Sequence, residues 1–218
     1  MPRANVFRWR DGLGWIVLSG GGDFTSSDTG EIEGQAITRA IAGKPVAYVW
    51  AAGDVETADR HLAALEDLGG PTGFLVDVLG EDDESLREQF ADAGVVILGD
   101  GPDVSRLRSG LLGAAIEGID SAYQNGAVVV AIGAGASVMG SLTSGADQTG
   151  LAWLEGAIVA PYHDREGSAD KLREALRKHP ELYGIGLATG SGLAFGPEGQ
   201  VEPLGRRQIT IALGAKMT

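Results

Sequence analysis

Short apolar or β-branched runs alternate along this chain with amphipathic, capped stretches, and this alternation restricts the fold more than any other feature. Trp15–Leu18, Val46–Trp50, Phe74–Val78, Val95–Leu98 and Ala127–Ile132 have the length and composition of strands. Helical patterns follow them over Gly30–Ile41, Asp54–Leu68, Asp83–Ala93 and Val104–Tyr123, and from Ala134 onward. Asp54 is placed to cap its helix, Leu62, Leu65 and Leu68 to face inward, and Gly69-Gly70 to stop it. The 104–123 helix should break near Gly110–Gly113. Successive strands separated by helices must run parallel, because only a crossover returns the chain to the same end of a sheet. Ala127–Ile132 is apolar without interruption, as expected where helices cover both faces of such a sheet.

Past Ala157–Val159 and a helix over Ser168–Lys178 the pattern changes. Gly184–Leu187, Gly192–Phe195, Val201–Leu204 and Gln208–Leu213 are short strands joined by Gly/Pro turns. The expectation is an α/β three-layer sandwich, with a mostly parallel central sheet, helices on both faces and antiparallel C-terminal strands. No repeat or linker interrupts it, so residues 1–218 are expected to form a single domain.

Composition narrows the function. Of 218 residues 35 are glycine, about 16% and roughly twice the usual share, so many tight backbone turns are needed. The formal net charge is −13, which repels nucleic acid and anionic membrane surfaces. Without cysteine there is no disulfide framework, thiolate metal site or cysteine nucleophile. Met1–Trp15 carries three arginines and no apolar run, so a cytoplasmic location is expected. Ser121–Ala146 is uncharged but too rich in Gly, Ser, Thr, Gln and Asn for a membrane span.

Neither nucleotide-binding glycine fingerprint is present, and no cofactor is expected. The three histidines, His61, His163 and His179, are too scattered for a metal site. His61 is expected to be solvent-exposed in its helix, and His179 to stand in the last turn of one, where a cation is favoured.

Ligands of open parallel sheets bind at the carboxyl ends of the strands. Three turns fall there: Ser19–Asp23, Gly99–Asp103 and Gly133–Ser137. Val128–Ile132 leading into Gly133-Ala134-Gly135-Ala136-Ser137 has the form of a nucleophile elbow: a strand, a turn of very small residues, then a buried helix. With Gly20-Gly21-Gly22, Gly99-Asp100-Gly101, Asn125–Val130, Pro161-Tyr162-His163 and His179–Gly186, this turn resembles the dipeptidase E and cyanophycinase family of serine peptidases. The resemblance covers nearly the whole chain and implies a fold like that of the class I glutamine amidotransferases.

That family's elbow reads Ser-Ala-Gly-Ala, its serine being the nucleophile, whereas the aligned residues here are Gly133-Ala134-Gly135-Ala136. Gly133 offers no attacking oxygen. Asp100 puts a carboxylate, and Pro102 a missing N–H, where an oxyanion hole needs donors, leaving the Ala134 N–H as one candidate donor. The resemblance places the histidine base at His163 and its acidic partner near Asp147. Asp164 and Arg165, beside that histidine, form a solvated ion pair in this reading.

Three readings follow. The first is a homologue without peptidase activity, keeping a cleft for a small peptide or an acidic or basic dipeptide-like ligand, bounded by Gly20, Gly21, Gly22, Gly99, Asp100, Gly101 and Ala134. The second is a serine-type hydrolase with an unusual nucleophile, Ser137 or more weakly Ser19, or a water activated by His163. The third is an interaction or assembly protein with no use for the cleft. The absent serine favours the first over the second, and homo-oligomers are compatible with all three.

Overall fold

The computed structural model describes residues 6–144 and 148–217. In chain order the elements are β1 (Arg8–Trp9), β2 (Trp15–Ser19), α1 (Ser27–Ile37), β3 (Val46–Val49), α2 (Val55–Asp67), β4 (Gly73–Val76), α3 (Asp83–Asp92) and β5 (Val95–Leu98). Then come α4 (Val104–Leu111), α5 (Ala114–Gln124), β6 (Val128–Ile132), α6 (Ala134–Val138), β7 (Leu142–Thr143), β8 (Leu154–Glu155) and β9 (Ala157–Ala160). The C-terminal part holds α7 (Ser168–Lys178), β10 (Tyr183–Leu187), β11 (Ser191–Phe195), β12 (Val201–Gly205) and β13 (Ile209–Leu213).

The central sheet has seven strands in the order β12-β11-β2-β6-β5-β3-β4. From β2 to β4 every neighbouring pair is parallel, and β11 and β12 add antiparallel pairs at one edge. Alternate residues of each strand face opposite layers. Ile16, Leu18, Val129 and Ala131 pack with α3, α4, α5 and α6, while Val17, Val128, Val130 and Ile132 pack with α1 and α2. Every residue of β6 is buried, as its unbroken apolar run requires.

Side-chain caps start four helices: Ser26, Asp54, Asp82 and Asp103 each accept a backbone N–H of the first turn. The break in the 104–123 segment falls at Gly113, whose φ of +89° sets the start of α5.

The C-terminal strands depart from expectation in one respect. Instead of all extending the central sheet, β10 and β13 join β9 and β7 in a second sheet of order β13-β10-β9-β7. Its β9–β10 and β7–β9 pairs are parallel, and β10–β13 is antiparallel. Side chains on one face (Val159, Ile185, Leu187) join the main core, and Ile158 and Ala160 pack against Leu172 and Leu176 of α7. The short β1 pairs with β8, a tertiary pairing with no local signature. Several boundaries also shift, the first helix ending at Ile37 instead of Ile41 among them. The first helix begins at Ser27 because Ser26 caps it, and Leu68 lies past the end of α2, where it is 55% exposed.

Candidate functional site at the Gly133 turn

The sheet order brings the three Gly-rich turns together. Strands β2, β6 and β5 are consecutive in the sheet, with Ser19 paired to Ile132 and Leu98 to Ala131 at their carboxyl ends. Gly20–Gly22, Gly133 and Gly99–Gly101 therefore leave the sheet side by side.

Gly133 takes φ +51° and ψ −108°, a conformation that L side chains rarely adopt, and donates its N–H to the Ser19 carbonyl. The sharp strand-to-helix turn expected of an elbow is thus present. Gly135 fits for a related reason. A Cβ there would lie 2.1 Å from the Leu98 carbonyl oxygen, so β5 and the turn can touch only without one.

The space that a side chain at Gly133 would need is filled by Asp100. A Cβ at Gly133 would lie 2.0 Å from Asp100 Oδ1 and 2.2 Å from its Cγ. Asp100 Oδ1 accepts two backbone hydrogen bonds, from Gly101 N–H and from Ala134 N–H, each 2.8 Å long. One donor lies in the neighbouring Gly99–Asp103 turn and the other is the residue that follows Gly133. The other oxygen, Oδ2, accepts the Tyr162 hydroxyl. The carboxylate points inward, and the Ala134 N–H is already engaged. Hydrogen bonds to a charged acceptor contribute about 1.5–3 kcal/mol each where water is excluded. Asp100 is only half-buried, so the three together are worth less than their sum.

Tyr162 is held for this contact. Its φ is +51°, its N–H donates to the Gly20 carbonyl, and its ring lies so close to Gly21 that a Cβ there would be 2.4 Å from it. Arg165 stacks on the ring at 3.7 Å. Burial first, and then the bond to Asp100, pushes the phenol well above its ordinary pKa. Sequence reasoning placed Tyr162 beside the histidine without seeing its role, because a contact across 62 residues has no local signal. The neighbouring Asp164 accepts both the N–H and the hydroxyl of Thr189, so it fastens the loop to the start of β11 besides facing solvent.

His163 is half-buried, with its ring over Gly186 of β10, where a Cβ would lie 2.5 Å away. Its Nδ1 is buried and has no hydrogen-bond partner among the described residues. Burial, then the charge of Arg173, lowers its pKa, against a smaller opposing effect of Asp164. Asp147 lies outside the described residues. Ser137 is buried, and its Oγ accepts the Ser144 N–H and bonds the Ser144 hydroxyl, so it ties the end of α6 to the following loop. Ser19 is also buried, its Oγ accepting the Gly21 N–H.

Two hollows flank the Asp100–Tyr162 contact. One, of about 650 Å³, includes Tyr162, Arg165, Lys171 and Ser144 in its lining. The other, of about 290 Å³, includes Asp100, Gly101, Gly22, Trp50 and Glu33. His61 lines the second and is only 5% exposed. The expectation of a solvent-exposed His61 is therefore corrected. It belongs to the buried stripe Ala58–His61–Leu62–Leu65 of α2, a helical spacing that could have revealed it. His179 does stand at the C-cap of α7. Among the described residues no group of His, Asp and Glu is arranged to hold a metal ion, and no helix is long and apolar enough to cross a membrane.

Comparison with known proteins agrees with this architecture. A peptidase from an acI-B1 Actinobacterium superposes with a TM-score of 0.75 at 21% identity, covering 93% of this chain and 91% of its own. A putative peptidase E protein from Listeria monocytogenes EGD-e superposes with a TM-score of 0.67 at 13% identity, covering 88% of this chain and 98% of its own. No curated protein matches the sequence. The model of Peptidase family S51 matches residues 16–200. This chain belongs to Peptidase family S51.

Proposed function

We propose that this S51 homologue does not cleave peptides by the serine acyl-enzyme route and keeps the cleft as a binding site for a small peptide or dipeptide-like ligand. One observation carries the reading: the Asp100 carboxylate occupies the space of a Gly133 side chain and uses both adjacent N–H donors. Acyl transfer needs an attacking atom and free donors for the developing oxyanion. Here glycine supplies no attacking atom, and the donors face an anion that belongs to the protein. A substrate carbonyl could reach them only after Asp100 moved, and its three hydrogen bonds oppose that movement.

The competing reading, a hydrolase using Ser137 with His163 as base, has one feature in its favour. Burial lowers the His163 pKa, which favours the neutral form that a general base requires, and its Nδ1 has no hydrogen-bond partner among the described residues. Against it, the Ser137 hydroxyl is buried and committed to Ser144.

Purified protein assayed against aspartyl dipeptides and cyanophycin-type Asp/Arg substrates should show no turnover, and a serine-directed fluorophosphonate should not label it. Gly133→Ser alone should remain inactive, because Asp100 holds the site. Gly133→Ser combined with Asp100→Gly is the variant in which labelling can appear. Turnover by the natural protein that disappears in His163→Ala overturns the proposal.

A further inference from the structure

Beside Asp100, the 290 Å³ hollow holds a buried chain of polar groups that the Gly133 turn does not use. Glu33 of α1 is only 2% exposed. Its Oε1 bonds His61 Nε2 at 2.8 Å, and His61 Nδ1 bonds the Tyr48 hydroxyl at 3.0 Å. Phe24 stacks on the imidazole, with centroids 4.7 Å apart and planes 15° from parallel. When Nε2 carries its proton to Glu33, Nδ1 accepts from Tyr48, and the imidazole is neutral with every polar atom satisfied. Glu33 Oε2 is not satisfied: it is buried and has no hydrogen-bond partner among the described residues.

A buried carboxylate with a free lone pair is costly unless a donor or a cation reaches it. The charge around it deepens the deficit. Asp100, Asp23 and Asp54 also line the hollow, and among the described residues no lysine or arginine does. If His61 is protonated instead, it neutralises Glu33 but leaves those three carboxylates. In both states the hollow has an anionic lining, and Glu33 Oε2 is an unused acceptor buried in its wall. These groups are not arranged to chelate a metal ion. The walls are partly aromatic, with Phe24, Tyr48 and Trp50 in the lining, and Arg106 already stacks over the Trp50 ring at 5.3 Å. Aromatic faces combined with carboxylates suit an organic cation that carries its own N–H donors.

We propose that this hollow binds a small organic cation, a primary ammonium or guanidinium group, with Glu33 Oε2 as its buried acceptor and the Phe24–Trp50 side as its apolar wall. This deepens the reading of a retained ligand cleft by naming the charge and donor chemistry of what enters it, and it rests on that reading only for the use of the cleft. Turnover plays no part in the test, so the binding proposal and the loss of peptidase chemistry can fail separately.

The test titrates the intact protein with n-butylammonium, n-butylguanidinium, the neutral isostere n-butanol and the anion butyrate. Calorimetry and the Trp50 indole NMR signal, assigned with Trp50→Phe, report binding. At least one cation should bind saturably and shift the Trp50 signal, the two cation arms distinguishing ammonium from guanidinium. Butanol and butyrate should bind roughly tenfold or more weakly, and Glu33→Gln should weaken the cation by about tenfold to a hundredfold. Equal affinity for butanol, no saturable cation binding, or unchanged affinity in Glu33→Gln overturns the proposal. Should Glu33→Gln fail to fold, the cation-against-butanol comparison on the natural protein decides alone.

Discussion

A serine at position 133 is most informative when position 100 is changed with it. Alone, Gly133→Ser meets two penalties. The backbone at φ +51° and ψ −108° strains any residue with a side chain by about 1–3 kcal/mol. The new Cβ would also lie 2.0 Å from Asp100 Oδ1, so Asp100 must swing out of three hydrogen bonds. Because Asp100 is half-buried and partly recovers hydration, that displacement should cost roughly a further 1–3 kcal/mol. Asp100→Gly alone loses the same three bonds. In the double variant they are lost once and the strain is met once, so the double should be less destabilised than the sum of the singles by about 1–3 kcal/mol. Urea unfolding of the four proteins, followed by far-ultraviolet circular dichroism, measures this coupling. Additivity within about 0.5 kcal/mol would refute the claim that Asp100 fills the space of a side chain at position 133.

Three further outcomes are expected. His61→Ala removes the partner of buried Glu33 and should lower stability by about 3–5 kcal/mol in urea unfolding; a loss below about 1 kcal/mol would contradict the buried pairing. His163 has its folded pKa lowered from 6.5 by burial, so the unfolded chain takes up the proton first as pH falls. The stabilisation it supplies is full above about pH 6.5 and is lost as pH falls below that value. An NMR titration should place its midpoint below 6.5, and His163→Phe should flatten the acid side of the stability profile; a midpoint at or above 6.5 sinks the assignment. Gly186→Ala puts a methyl 2.5 Å from the His163 ring and should push that ring outward, moving its midpoint up toward 6.5, whereas an unchanged titration would show that the ring does not rest on Gly186.

The parts of this molecule that depend on near neighbours in the chain were legible from residues alone. The β/α alternation, the Asp54 cap and the break at Gly113 are settled by period and by backbone freedom, which act over one or two turns. The elbow was legible for the same reason, since a strand ending in Gly-Ala-Gly-Ala states its own steric need. The second sheet was not, because an isolated strand such as Tyr183–Leu187 fits either sheet and only packing on α7 and the main core selects one. Leu68 and His61 were misplaced by the same limit: an apolar residue past a helix end can stay exposed, and a polar one on the buried stripe can be satisfied by partners 13 and 28 residues away.

At the candidate site the division is sharper. The residues alone put a glycine at position 133 and a carboxylate in the neighbouring turn. Where that carboxylate goes depends on contacts that no local pattern carries. Side-chain direction at Asp100 depends on the Ala134 N–H and the Tyr162 hydroxyl, groups 34 and 62 residues away. They meet because β5 and β6 are neighbours in the sheet and the loop after β9 folds back over Gly21. Local sequence sets which groups are available, and long-range packing sets which of them touch.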